Sequence, residues 1–165
     1  KENISGQEFC YSDYIILKVN GTDAACCASW IEGTQQYSSA ILKANLLFEY
    51  FGEEKMEKAQ PLYDSLRELN FEREIGTLQI VNCYVKNTFR GIGLASKIIS
   101  ELINIQKTKY PLLEKAQLRI TKNNLSAKKA YEKIGFSVVA EKTSSNLNLL
   151  NYLPDISRLL MEKTI

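Results

Sequence analysis

The order of elements along the sequence predicts one α/β domain over residues 1–165, a mixed central sheet with flanking helices. Three observations lead there. Runs of β-branched and aromatic residues alternate with amphipathic stretches of helical period, an Asn-Gly dipeptide marks an opening hairpin, and one apolar strand runs straight into a glycine-rich turn and a helix. With 165 residues, 45% of them hydrophobic, the chain has enough apolar surface for a single core.

Residues 14–19 are β-branched and aromatic, Asn20-Gly21 supplies a two-residue turn, and residues 24–31 resume the apolar run, so the opening reads as a β-hairpin. Residues 38–57 carry Ile41, Leu42, Leu46, Phe48 and Phe51 among polar residues, as a helix does. Pro61 separates it from a second helix over residues 62–69, and the pair forms a flap on one side of the sheet. Residues 77–85 set Leu78, Ile80 and Tyr84 on one face and Val81, Cys83 and Val85 on the other, which suits a central strand covered on both faces. Beyond Gly91 and Gly93, Leu94, Ile98, Leu102 and Ile105 recur at helical spacing until Tyr110-Pro111. Residues 117–121 form a short strand. A helix follows with Ala127, Ala130, Tyr131 and Ile134 on one stripe, Asn123 or Asn124 as N-cap and Gly135 as its stop. Residues 136–142 and 156–163 read as strands joined by a polar loop over 143–155.

Composition removes several functions. A net charge of +2 with 24% charged residues gives no electrostatic reason for nucleic acid or a membrane surface as partner. No segment approaches the roughly 18 continuous apolar residues of a membrane span, and the opening has no basic-then-apolar leader, so a soluble cytoplasmic protein is expected. The four cysteines, Cys10, Cys26, Cys27 and Cys83, form no C-x-x-C pair and read as buried free thiols. There is no histidine, which excludes Ser-His-Asp and Cys-His catalysis and imidazole zinc sites; no metal is expected. Chemistry must come from Tyr, Lys, Cys, carboxylates or backbone N–H groups.

The loop Arg90-Gly91-Ile92-Gly93-Leu94-Ala95-Ser96 has the makings of an anion site. Small residues let backbone N–H groups approach phosphate oxygens, the helix N-terminus adds partial positive charge, and Arg90 offers a charged fork. Two glycines also suit a mere tight turn. The G-x-x-x-x-G-K-[ST] loop is absent, and a dinucleotide fingerprint fails because Ser96 replaces its third glycine and the next strand ends in Arg119, Thr121 and Lys122 rather than an acid. That basic exit favours a cofactor with an extra phosphate.

The stretch from Cys83 to Ala95, with Arg90, Gly93 and Ala95 in fixed places, resembles the acetyl-CoA signature [QR]-x-x-G-x-[GA] of the GNAT superfamily of N-acetyltransferases. A second block, Asn124 to Phe136, is similar to the downstream pattern N-x-x-A-x-x-x-Y-x-x-x-G-F, with Asn124, Ala127, Tyr131, Gly135 and Phe136 in place. The resemblance covers residues 78–139 and does not extend to residues 33–74. It implies an acyl-CoA N-acyltransferase fold and acetyl-CoA (coenzyme A) as cofactor. The product follows from direct attack by a primary amine of a small molecule or peptide. Members of the family usually begin with a strand and one or two helices before the hairpin, yet only about a dozen residues precede Tyr14. The domain is therefore expected to lack its usual first strand and helix, as a truncated front or with a homodimer covering the uncovered edge.

By the same resemblance, the backbone of Cys83 to Val85 faces pantetheine and the acyl carbonyl, and N–H groups of Arg90, Gly91, Ile92, Gly93, Leu94, Ala95 and Ser96 hold the pyrophosphate. Asn124 and Ala127 border the pantetheine, and Tyr131 stands near the sulfur as general acid. Tyr131 also fits a core tyrosine, and Lys128, Lys129 and Lys133 fit either a solvated helix face or a 3′-phosphate contact. Residues 77–85 hold no carboxylate, so Glu32, Glu74 or a water chain are the candidate bases, while Cys83 reads as packing. A non-catalytic acyl-CoA-binding sensor or interaction module is the alternative function, and a nucleotide-binding protein of another fold a distant third.

Overall fold

The computed structural model describes residues 4–165. Its elements are β1 (Tyr14–Val19), β2 (Thr22–Ile31), α1 (Ser39–Phe51), α2 (Glu53–Arg67), β3 (Leu78–Val85), α3 (Leu94–Lys109), β4 (Lys115–Thr121), α4 (Leu125–Glu132), β5 (Ser137–Thr143) and β6 (Ser157–Thr164). The six strands make one sheet in the order β1-β2-β3-β4-β6-β5. Only β3 and β4 run parallel; every other neighbouring pair is antiparallel. The mixed sheet with flanking helices is the one the sequence predicts. β1 is an edge strand of the sheet among the described residues. No helix among them is long and apolar enough to cross a membrane.

The core lies between the sheet and α3. Ile98, Ile99, Leu102 and Ile103 of α3 pack with Leu78, Ile80, Leu118 and Met161 of the strands, all of them buried. Fully burying each such side chain contributes about 1.5–3 kcal/mol, so this contact fixes the helix that starts at the glycine loop. Ile105 is not part of the stripe and stands 50% exposed; the last turns present Gln106 to the sheet instead, where its amide donates to the Ser29 hydroxyl at 3.3 Å.

Two sequence expectations need correcting. The flap helices break at Gly52, not at Pro61, which lies inside α2. Gly52 has φ 77, its N–H closes α1 on the Phe48 carbonyl at 2.8 Å, and its carbonyl opens α2 by accepting from Met56 at 3.2 Å. Pro61 removes one donor, but Glu57, whose carbonyl loses that bond, is exposed to water, so the helix continues through it.

The second correction concerns the faces of β3. Asn82 has φ 51, and the β2–β3 register slips between Cys26/Tyr84 and Ala28/Val81, so two residues of β3, Asn82 and Cys83, oppose Cys27 alone. This bulge reverses the side-chain alternation. Leu78, Ile80, Cys83 and Val85 share the α3 face, and Tyr84 turns to the opposite face, 52% exposed. That opposite face is crossed by the flap and by the segment joining α2 to β3. The flap is tied down at its far end as well: Glu68 accepts from the Ser144 hydroxyl at 2.7 Å and the Ser145 N–H at 2.8 Å, and Asn146 donates to Ser65 at 2.8 Å.

Candidate active site

Between β3 and α3 the chain turns through Gly91 at φ 83 and Gly93 at φ 82, backbone angles that L side chains rarely adopt. A Cβ added at either position would meet nothing within 4 Å, so the concave side of the loop is open. Gly93 caps α3 without a side chain. Among the described residues the Arg90 N–H donates to the Asn87 carbonyl at 3.3 Å, whereas those of Gly91 to Ser96 meet no acceptor of the chain. Free N–H groups at the start of a 16-residue helix, on an open surface, are an anion cradle. The Arg90 guanidinium is fixed at the end of β3 by Nε, which donates to the Val85 carbonyl at 3.2 Å. Ile92 is exposed, while Leu94 is buried and Ala95 packs on the core, anchoring the cradle's far side. The Ser96 hydroxyl is committed elsewhere, donating to the Ala130 carbonyl of α4 at 2.8 Å, so Ser96 offers the cradle only its backbone.

Just before this loop the sheet opens. β3 and β4 pair only through Leu78, Gln79 and Ile80 against Ala116, Gln117 and Leu118. Past Ile80 the bulge carries β3 toward β2, and β4 stays with β6 along its whole length. The two parallel strands therefore part into a fork whose inner edges, 81–85 and 119–121, have no ladder partner in each other. Parted strands present unpaired N–H and C=O groups to any extended ligand lying between them. The Cys83 and Val85 side chains face the α3 core, so what they offer the fork is backbone, and the Val85 carbonyl is already taken by Arg90.

Tyr131 reaches the fork from α4. It is 7% exposed, its ring lies 6.5 Å from that of Phe136, and its hydroxyl is a neighbour of the Cys83 thiol. Burial first, and then the neighbouring Cys83, push the Tyr131 hydroxyl well above its usual range, so it stays protonated. Cys27 beside them is also pushed up, by its bond with Cys83 and by burial, and its Sγ contacts the Val81 carbonyl at 3.5 Å. The Asn124 side chain is the N-cap of α4, accepting from the Ala127 N–H at 3.2 Å, which leaves its amide N–H pair for other partners. Ala127 packs half-buried against the core. Lys129 and Lys133 are exposed, and Lys128 is half-buried and pairs with Glu132 at 3.7 Å.

Neither carboxylate singled out as base is at the fork with a free oxygen. Glu32 is 4% exposed and accepts from Trp30 Nε1 at 3.0 Å, the Ser39 N–H at 2.9 Å and the Ser39 hydroxyl at 2.5 Å, so it is the anchor that joins β2 to the start of α1. Burial raises its pKa, but these bonds and the Arg73 charge outweigh that and hold it below the usual range. Glu74 sits at the opposite end of β3 from the fork and pairs with Lys115 at 3.0 Å.

Sequence reasoning missed the bulge and a group of charged residues on the flap face. Glu8 there binds Lys43 and Arg73, and Arg119 and Arg158 lie nearby. Arg119 points to this face, donating to Gln79 Oε1 at 2.7 Å, and Lys122 pairs with Glu141 at 2.6 Å; the basic exit of β4 does not serve the phosphate cradle. The available signal was a charge inside an otherwise apolar strand, as in Leu118-Arg119-Ile120.

A family model described as the acetyltransferase (GNAT) family matches residues 51–136, more than half of the chain. Solved structures give the same fold. The ribosomal-protein-S18-alanine N-acetyltransferase of Escherichia coli aligns over 93% of this chain and 70% of its own at 15% identity, with a TM-score of 0.54. A GNAT-family acetyltransferase from Streptococcus pneumoniae aligns over 92% and 65% at 15% identity, TM-score 0.58. The aminoglycoside acetyltransferase AAC(6')-Ib, solved with coenzyme A, aligns over 92% and 65% at 20% identity, TM-score 0.55. The chain thus spans about two thirds of the length of these structures. Comparison with curated proteins returns no match.

Proposed function

Because this chain belongs to the acetyltransferase (GNAT) family, whose acetyl donor is acetyl-CoA, we propose that it transfers an acetyl group to a primary amine of a small molecule or peptide. The observation that carries the proposal is the open cradle of N–H groups at Gly91 to Ser96 lying at the mouth of the β3/β4 fork, with a protonated tyrosine at its inner end. The cofactor supplies an activated thioester. The residues present fit it: the cradle and Arg90 suit a pyrophosphate, the unpaired edges of residues 81–85 and 119–121 suit an extended amide-bearing arm, and Asn124 and Ala127 border that arm.

Tyr131 holds the proton that a departing thiolate requires. Its hydroxyl lies beside the Cys83 sulfur, and burial keeps the proton on oxygen at neutral pH. With Glu32 and Glu74 committed elsewhere, water takes the proton of the incoming ammonium. That neither Glu32 nor Glu74 serves the fork is what favours the second reading, a non-catalytic acyl-CoA-binding module. Titrating acetyl-CoA while following the melting temperature tests the cofactor site, and release of free thiol with a panel of amines tests chemistry. A stabilised protein that releases no thiol with any amine supports the module; no stabilisation overturns both.

A further inference from the structure

On the flap face the strand register gathers cations around the fork. Arg119 is the first residue of β4 beyond its last pairing with β3, and it faces away from the core that takes Leu118 and Ile120. Arg158 lies opposite Thr121 on β6, which makes it the diagonal neighbour of Arg119 on the same face, at about 7 Å between backbones. Lys142 is opposite Arg158 on β5, but its ammonium is committed to the Asn70 carbonyl at 2.5 Å and the Phe71 ring at 5.4 Å. Arg73 comes in from the segment after α2 and is held by Glu8 at 3.0 Å, the Ser39 hydroxyl at 2.9 Å and the Trp30 ring at 5.0 Å.

The charges do not balance. Glu8 is shared by Lys43 and Arg73, and Glu32 is consumed by Trp30 and Ser39. Arg119 donates only to neutral oxygens, Gln79 Oε1 at 2.7 Å and the Glu72 carbonyl at 3.3 Å. The half-buried Arg158 side chain has no hydrogen bond or ion pair among the described residues. Glu8 and Glu32 therefore stand against five cations, Lys43, Arg73, Arg119, Lys142 and Arg158. Burial, and for Arg119 also the nearby Arg73, disfavour the charged forms more than the surrounding carboxylates (Glu32 and Glu8 for Arg119, Glu8 for Arg158) favour them, pushing Arg119 down to about 10 and Arg158 below its usual value. Burying a guanidinium without a counter-charge is unfavourable, and a ligand oxyanion removes that cost.

We infer that the acceptor amine carries an oxyanion, a carboxylate or a phosphate, which Arg119 and Arg158 receive on the flap face while the amine enters the fork. The inference rests on the acetyl-transfer reading above. The cluster is not a cofactor phosphate site, because the glycine cradle, α3 and α4 all lie on the other face of the sheet. Arg119 stands at the fork itself and Arg158 level with a residue two further along β4, so an anion separated from the amine by two to four carbons fits the span.

The test compares acceptors of matched shape: 4-aminobutyrate and β-alanine against their amides and propylamine, with 2-aminoethyl phosphate as the phosphate arm. Thiol release from acetyl-CoA and the melting temperature of the acetyl-CoA-saturated protein are read together. The expected result is a preference for anionic acceptors of about ten-fold or more in kcat/KM, or a stabilisation that only the anions produce. Carboxylate and phosphate arms then tell which oxyanion is favoured. Arg158→Gln should erase the preference and not lower the melting temperature without ligand; Arg158→Lys should keep part of it. A purely structural arginine would instead destabilise the variant and leave the preference intact. Equal turnover and equal stabilisation by anions and amides in the native protein overturn the inference, whatever the variants do. If acetyl-CoA itself fails to stabilise the chain, the acetyl-transfer reading fails, and the anion arm is still decided by the same melting shifts without cofactor.

Discussion

Replacing Glu32 by Gln separates a structural anchor from a catalytic base. Its two oxygens take three donors while 4% exposed: Oε2 from Trp30 at 3.0 Å and the Ser39 hydroxyl at 2.5 Å, Oε1 from the Ser39 N–H at 2.9 Å. An amide offers one acceptor oxygen and an NH₂ group. If that oxygen keeps the Oε2 place, the NH₂ faces the Ser39 N–H and one bond is lost, while the other two fall from charge-assisted to neutral. Charge-assisted bonds contribute about 1.5–3 kcal/mol and neutral ones about 1, so the variant should lose about 2–4 kcal/mol. For a domain of this size each kcal/mol moves Tm by about 2–4 °C, so a fall of roughly 5–15 °C is expected. Thermal unfolding followed by circular dichroism measures it, with thiol release assayed well below the transition. The pH dependence adds a second readout. Burial raises the Glu32 pKa, but bonds from Ser39 and Trp30 and the Arg73 charge bring it below the unfolded value, so its stabilisation is full above the unfolded-state pKa. It fades as pH falls through the lower folded value, and the Gln variant should lose this acid limb. An unchanged Tm with turnover down by about 10²-fold or more would refute the anchor and restore Glu32 as base.

Three further outcomes follow from the site. Tyr131→Phe keeps the buried ring and removes only the hydroxyl, so turnover should fall by about 10²- to 10⁴-fold with the dissociation constant of coenzyme A nearly unchanged, read by single-turnover kinetics and calorimetry; full turnover would make the tyrosine structural. Gly93→Asp puts a carboxylate into the cradle at φ 82, and should abolish the rise in Tm that acetyl-CoA gives the native chain. A rise equal to that of the native chain would remove the loop from phosphate binding. Asn124→Ala deletes the cap bonded to the Ala127 N–H at 3.2 Å and should cost about 1 kcal/mol, seen as a fall in denaturation midpoint at constant slope.

What the sequence revealed was local, and what it hid was not. The glycine turn, the first residues of α3 and the Asn124 cap are each written in a few consecutive residues, whose backbone angles and caps depend little on distant partners. The break at Gly52 was legible too, but Pro61 drew the boundary because a proline inside a helix is normally the stronger signal; an exposed Glu57 carbonyl removes its force. The faces of β3 were misassigned past Asn82, since period-two alternation cannot register an extra residue. Glu32 read as a candidate base because the donors that commit it come from Trp30 and from Ser39 across a turn and leave no local trace. Arg119 and Arg158 meet only through the β4–β6 register, which pairs residues 119–121 with 158–160 and leaves no trace in either segment alone.

The bulge at Asn82 ties the two faces of the site together. A non-glycine residue at φ 51 inside a strand persists when its surroundings hold it, and here the Asn82 amide donates to the Tyr14 hydroxyl at 2.7 Å and to the Glu8 carbonyl at 3.0 Å. Both partners are on the flap face. The Tyr14 hydroxyl in turn donates to the same Glu8 carbonyl at 3.2 Å, while the Glu8 carboxylate binds Lys43 of α1 and Arg73. The backbone of one residue thus pins the bulge, and its side chain gathers the flap. Without the extra residue Cys83 would leave the α3 face, where it meets Tyr131, and β3 would continue straight alongside β4 instead of parting from it. The fork that faces the cradle therefore depends on contacts made entirely on the opposite side of the sheet, so the acceptor side and the cofactor side are shaped by one structural element.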